Sequence, residues 1–113
     1  MDVYRETLPD RYLLIVCGAA DGAAAERTLE RALHRASRSG KPAVWVDCSL
    51  AAGLSERAAQ LLLAYAHHLP GMGSGLVLCH VADALRQELR THGAGTLPMA
   101  ATLLDAARTA QAA

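Results

Sequence analysis

Phenylalanine is absent from this chain, and one tryptophan and three tyrosines are its only aromatic residues. Alanine and leucine dominate instead, a balance that favours helices packed on a sheet over a β-sandwich. Net charge is lacking too. Eleven basic and eleven acidic side chains cancel, which argues against a broad nucleic-acid-binding surface. No apolar stretch reaches the roughly 18–20 residues that a membrane span needs. The opening MDVYRETLPDRY is charged and has no signal-peptide core. The three cysteines show no CxxC pair. Cys17, Cys48 and Cys79 each fall in or just after an apolar run, so they read as small core residues in a reducing cytoplasm.

Metal-ligand spacing is missing as well. His67 and His68 are adjacent, and their side chains diverge by about 100° on a helix. His34, His80 and His92 lie on three different elements. No His-x-x-x-His or Cys-His pattern occurs, so neither a metal nor another cofactor is expected. There is no internal repeat and no low-complexity tract. With 113 residues, 52% of them hydrophobic, the chain suits one domain over 1–113 with one core.

The stretch Ala43 to Leu63 organises what is there. Ala43-Val44-Trp45-Val46 reads as a buried strand, with Asp47, Cys48 and Ser49 at its end. A small-residue loop, Leu50 to Leu54, leads to a helix capped by Ser55. Leu54, Ala58, Leu61, Leu62 and Tyr65 recur at helical spacing. Before this stretch, Asp2–Thr7 is a strand candidate, Leu8–Arg11 a turn, and Tyr12–Cys17 a central strand, the two strands forming an antiparallel hairpin. Gly18–Gly22 reads as a loop. A helix from Ala23 to about Ser39 turns Ala25, Leu29, Ala32, Leu33 and Ala36 inward. Its outer face carries Glu26, Arg27, Glu30, Arg31, Arg35 and Arg38. After the organising stretch come a glycine-rich connector over Pro70–Gly75 and a strand over Leu76–His80. A helix over Val81–His92 ends at Gly93. A short strand over Thr96–Met99 and a final helix over Ala100–Ala110 complete the chain. The fold class is α/β: a mixed, mostly parallel sheet of four to five strands, with one antiparallel hairpin strand, flanked by four helices.

This order of elements resembles the STAS domain, a family that includes the bacterial anti-sigma factor antagonists. Val16-Cys17-Gly18-Ala19-Ala20-Asp21 is similar to the family's strand ending in Gly-x-Leu-Asp. Val44-Trp45-Val46-Asp47-Cys48-Ser49 is similar to Val-x-Leu-Asp-Leu-Ser. A strand, a helix, a glycine and Leu97-Pro98 follow in order. The resemblance covers nearly the whole chain. It implies a bacterial, cytoplasmic signal-transduction module that regulates transcription by protein–protein interaction, and not an enzyme.

In that family Asp-Ser-Ser-Gly opens the second helix, and a partner kinase that doubles as an anti-sigma factor phosphorylates the first Ser. Aligned without gaps, this chain has Ser55-Glu56-Arg57-Ala58, so all four positions depart. Asp21 matches the acidic residue the family keeps beside the acceptor. Glu56 is an ordinary first-turn residue after a Ser cap. It is also a fixed, partial stand-in for a phosphoserine, bringing one negative charge where phosphate brings about −1.5 to −2. Ser55 reads as the cap, with phosphorylation there the alternative in a shifted register. The resemblance thus places a partner surface at Asp21, Ser55, Glu56 and Arg57, with no catalytic residue.

The partner implied is an anti-sigma factor of the kinase-like type. The alternative within the fold is the soluble STAS subunit of a lipid-transport ABC system docking on its ATPase. From another class, the chain reads as a small nucleotide- or ligand-binding domain using Cys48 or loop amides; paired acid/base residues near strand ends are scarce. Cys79 and His80 are strand neighbours and point to opposite faces. Gly71-Met72-Gly73-Ser74-Gly75 follows a helix and precedes a strand, the reverse of a phosphate loop, and lacks Gly-Lys-Ser/Thr. The arginines Arg27, Arg31, Arg35 and Arg38 suit an acidic partner or, with Glu26 and Glu30 among them, an ordinary solvated face. A homodimer is left open by the sequence.

Overall fold

The computed structural model describes residues 1–102. Strand β1 (Asp2–Leu8) turns at Pro9-Asp10 into β2 (Arg11–Ala20), and the pair is antiparallel from Asp2↔Cys17 to Leu8↔Arg11. Proline presets the turn dihedral and aspartate favours turns, so the hairpin is locally encoded. Helix α1 (Ala23–Ser37) follows, then β3 (Val44–Leu54), α2 (Glu56–His68), a 3₁₀ turn (Leu69–Met72), β4 (Leu76–Cys79), α3 (Asp83–Thr91) and β5 (Met99–Ala100). The five strands lie in sequence order, and every pair after the hairpin is parallel.

Alternation along the strands makes two faces. Tyr12, Leu14, Val16, Val44, Val46, Cys48, Leu76 and Leu78 share one core with the buried residues of all three α-helices. Leu13, Trp45 and Cys79 form a smaller cluster of their own. Alternate residues of a strand point to opposite faces, which is what separates the two sets. Arg11 lies over the Trp45 ring, 4.3 Å from its centroid. Gly93 ends α3 at φ +77°, a left-handed conformation that L-residues avoid.

Four expectations are corrected. The Leu50–Leu54 stretch is strand, not loop. Cys17, Gly18, Ala19 and Ala20, three of them in the other presumed loop, pair in parallel with Leu50, Ala51, Gly53 and Leu54, with two register shifts. This pairing is made by backbone groups, and small side chains tolerate the bulges. The last strand is Met99–Ala100, reached by a bond from the Leu78 amide to the Pro98 carbonyl at 2.9 Å. Ala100 therefore belongs to a strand and does not open a helix; residues 103–113 of the expected fourth helix lie outside the described residues. Among the described residues there are three α-helices, and none is long and apolar enough to cross a membrane.

Candidate functional site

The extra length of β2 and β3 decides where α2 begins. Of β3, only Val44–Asp47 pairs with β4, so β3 runs on beyond it with β2 as its one strand neighbour among the described residues. At its end the Ser55 amide donates to the Ala20 carbonyl at 2.9 Å. Asp21 is the next residue along. This pairing sets Asp21 one residue beyond the partner of the Ser55 amide, at the start of α2.

Ser55 is the N-cap of α2, with extended dihedrals (φ −65°, ψ 165°). Its Oγ accepts from the Ala58 amide at 3.1 Å, satisfying one of the four amides a helix start leaves open. The same hydroxyl donates to Oε2 of Glu26 at 2.6 Å. Glu26 belongs to the first turn of α1 and is half-buried, so it is not part of the solvated outer face expected for it. A second carboxylate completes the junction. Glu88 of α3 accepts the Leu54 amide through Oε1 at 2.8 Å. Leu54 has no strand on that side, and Glu88 supplies the acceptor that β4 does not reach.

Asp21, Glu56 and Arg57 are exposed, and among the described residues their side chains form no hydrogen bond or ion pair. Glu56 occupies the first turn of α2, where the helix dipole favours negative charge. Asp21, Glu26, Glu56 and Glu88 thus surround the β3–α2 junction with four carboxylates, and Arg57 is the basic residue among the four expected there. Glu26 and Glu88 join the junction from α1 and α3. Each acts 29 or 34 positions away in sequence, and no local spacing signals it.

Other candidates fare differently. Cys48 is 4% exposed, and its thiol approaches the Val46 carbonyl at 3.7 Å. Burial, with Asp47 and Cys79 nearby, pushes the thiol up to about 12. A thiol held neutral is a poor nucleophile, so Cys48 is not the reactive group considered for it. Burial and Asp47 likewise push Cys79 up to about 11. The Pro70–Gly75 connector starts as a 3₁₀ turn closed by Gly73 in the left-handed region. His67 and His68 are exposed at the end of α2.

No family model matches the sequence, and no curated protein matches it. Solved structures do. An anti-sigma factor antagonist from Mycobacterium paratuberculosis is 22% identical over 97% of this chain and 93% of its own, with a TM-score of 0.83. A serine-to-glutamate variant of RsbS from Moorella thermoacetica is 16% identical over 99% and 97%, with a TM-score of 0.78. The Bacillus cell fate determinant SpoIIAA in its phosphorylated form is 15% identical over 96% and 98%, with a TM-score of 0.69. The chain has the fold of the anti-sigma factor antagonists, the STAS fold that its sequence resembles.

Proposed function

We propose that this chain is a non-enzymatic regulatory module of the anti-sigma factor antagonist kind, which docks a protein partner through the junction of β2, β3 and α2 without being switched there by phosphate. One observation carries the reading: the Ser55 hydroxyl at this junction already donates to Glu26 and accepts from Ala58, while the next residue is a permanent carboxylate. To phosphorylate Ser55, a kinase would have to remove the proton that its hydroxyl donates to Glu26, and so break that bond. The phosphate would then sit against Glu26, and like charges repel. Glu56 offers the helix start its negative charge permanently. The fold supports the reading too, since its solved neighbours include anti-sigma factor antagonists.

Exposed Asp21, Glu56 and Arg57 are the groups a partner would meet. Three unpaired cysteines, two of them buried, suit a reducing cytoplasm. The carboxylate majority suits a partner surface rich in Lys or Arg, by which charge complementarity speeds encounter and selects partners.

The test is to incubate the chain with ATP and an anti-sigma-type kinase from its native host, then map phosphate by mass spectrometry. The expected result is complex formation with no phosphate on the chain. Stoichiometric phosphoserine at position 55 would overturn the reading. The control is Glu56→Ser, which restores a hydroxyl at the family's acceptor position and should gain phosphate.

A further inference from the structure

Two members of the arginine row on α1, Arg31 and Arg35, meet a third arginine from the sheet. In the hairpin register Val3 opposes Val16 and Arg5 opposes Leu14. Leu14 and Val16 belong to the core between sheet and helices. Arg5 therefore lies on the side of edge strand β1 that faces α1. Arg31 and Arg35 stand one helical turn apart on α1. All three line one cavity of about 230 Å³, together with Tyr12 and Thr28, and among the described residues no carboxylate lines it.

Such an arrangement is unfavourable when empty. Like charges at i and i+4 weaken a helix, and a third guanidinium across the cleft adds to the repulsion. Among the described residues none of the three forms an ion pair; the pair found there joins Arg11 to Asp10. Inward-facing charge on an edge strand does guard against strand-to-strand association. That explains Arg5, but not two helix arginines facing it.

We propose that this cavity binds a small phosphoryl anion, either free phosphate or the phosphate of a small monoester, between Arg5, Arg31 and Arg35. Size argues for it. Pockets for drug-sized ligands run to about 300–1,000 Å³, so this one suits a phosphate group with little attached. Chemistry argues for it as well, because guanidinium forks bind oxyanions through paired N–H donors. Tyr12 contributes a neutral group. It is 5% exposed and lines the cavity, and among the described residues its hydroxyl forms no hydrogen bond. The Thr28 hydroxyl donates to the Ala24 carbonyl, so it is not a donor to the anion.

Inorganic phosphate and glycerol phosphate, titrated into the isotope-labelled full chain at constant ionic strength, test the site. Chloride is the control. Saturable amide shifts confined to Val3–Arg5 and Thr28–Arg35 are expected with phosphate and absent with chloride. Arg31→Gln and Arg35→Gln should each weaken phosphate binding roughly tenfold or more. Arg31→Lys keeps the charge but loses the fork, and should fall between wild type and Arg31→Gln. These positions are exposed, and an unchanged circular dichroism spectrum verifies folding. Tighter binding of glycerol phosphate than of inorganic phosphate identifies an ester as the ligand, and the reverse order identifies the free ion. Unsaturating shifts equal to those of chloride, or full affinity in the Arg31→Gln/Arg35→Gln double variant, would overturn the proposal.

Discussion

Ser55 and Glu26 are joined by a 2.6 Å hydrogen bond between two helices that start 33 positions apart, Ala23 for α1 and Glu56 for α2. Bonds to an ionised acceptor are shorter and stronger than neutral ones. Because the same oxygen caps Ala58, one hydroxyl fixes how both helices leave the sheet.

Ser55→Ala removes the cap and strands the Glu26 carboxylate, and should destabilise the chain by about 1–3 kcal/mol. Glu26→Gln retains an acceptor and should cost less than about 1 kcal/mol. In urea denaturation the double variant should reveal a coupling of about 0.5–3 kcal/mol. Additive losses would mean that the two side chains are individually hydrated and do not hold the helices together.

Glu88 supports the same junction from the other side. Glu88→Ala leaves the Leu54 amide, in a buried residue, without its acceptor, at a cost of about 1–3 kcal/mol. Glu88→Gln keeps a carbonyl oxygen in place and should recover most of that loss. If the two variants proved equally unstable, charge would be the important property of Glu88 and not its acceptor oxygen. Amide exchange at Leu54 is the direct readout, faster in Glu88→Ala than in Glu88→Gln.

These two glutamates mark the limit of what the sequence told. The hairpin was legible because Pro9-Asp10 is a turn in its own right. The Ser55 cap was legible because serine followed by an acidic first turn is a local helix start. Leu50–Leu54 was misread because Ala51, Ala52 and Gly53 carry no strand signal; parallel backbone pairing with β2 makes them strand. Glu26 was grouped with solvated residues because helical periodicity tells which face a residue is on, but not what a helix 29 positions later presents to it. The arginine row was read from the helix alone, whereas Arg5 joins it only through the hairpin register.

The thiols give a pH prediction. Cys48 has an ordinary value of 9.0 and is raised to about 12 by burial, then by Asp47 and Cys79. The folded chain therefore holds this proton more tightly than the unfolded chain does. The resulting stability is complete below pH 9 and is lost as pH rises from there through 12. Cys79, raised to about 11, acts in the same direction. Denaturation midpoints should fall between pH 9 and 11, less steeply in Cys48→Ala once its lower starting stability is subtracted. In a thiol-reagent assay at pH 8, Cys17, which is partly exposed, should react first, and Cys48 and Cys79 only on unfolding. A second fast thiol in the folded chain would contradict the burial that raises them.

Glu56→Lys separates the two roles of the α2 start. Exchanging a favourable for an unfavourable charge at an exposed helix N-terminus should cost about 0.6–2 kcal/mol, twice the value of a single helix–charge interaction. Much of that loss should vanish at 1 M salt, where the Debye length is about 3 Å. A helix-start residue with no further task would lose this much and nothing else. A docking residue would also lose its partner: Glu56→Lys should weaken capture of the kinase-like protein even at temperatures where the variant is fully folded. Glu6→Gln, at an exposed position on β1, should leave capture unchanged. Equal capture by wild type and Glu56→Lys would confine Glu56 to stabilising the helix and move the partner surface elsewhere on the fold.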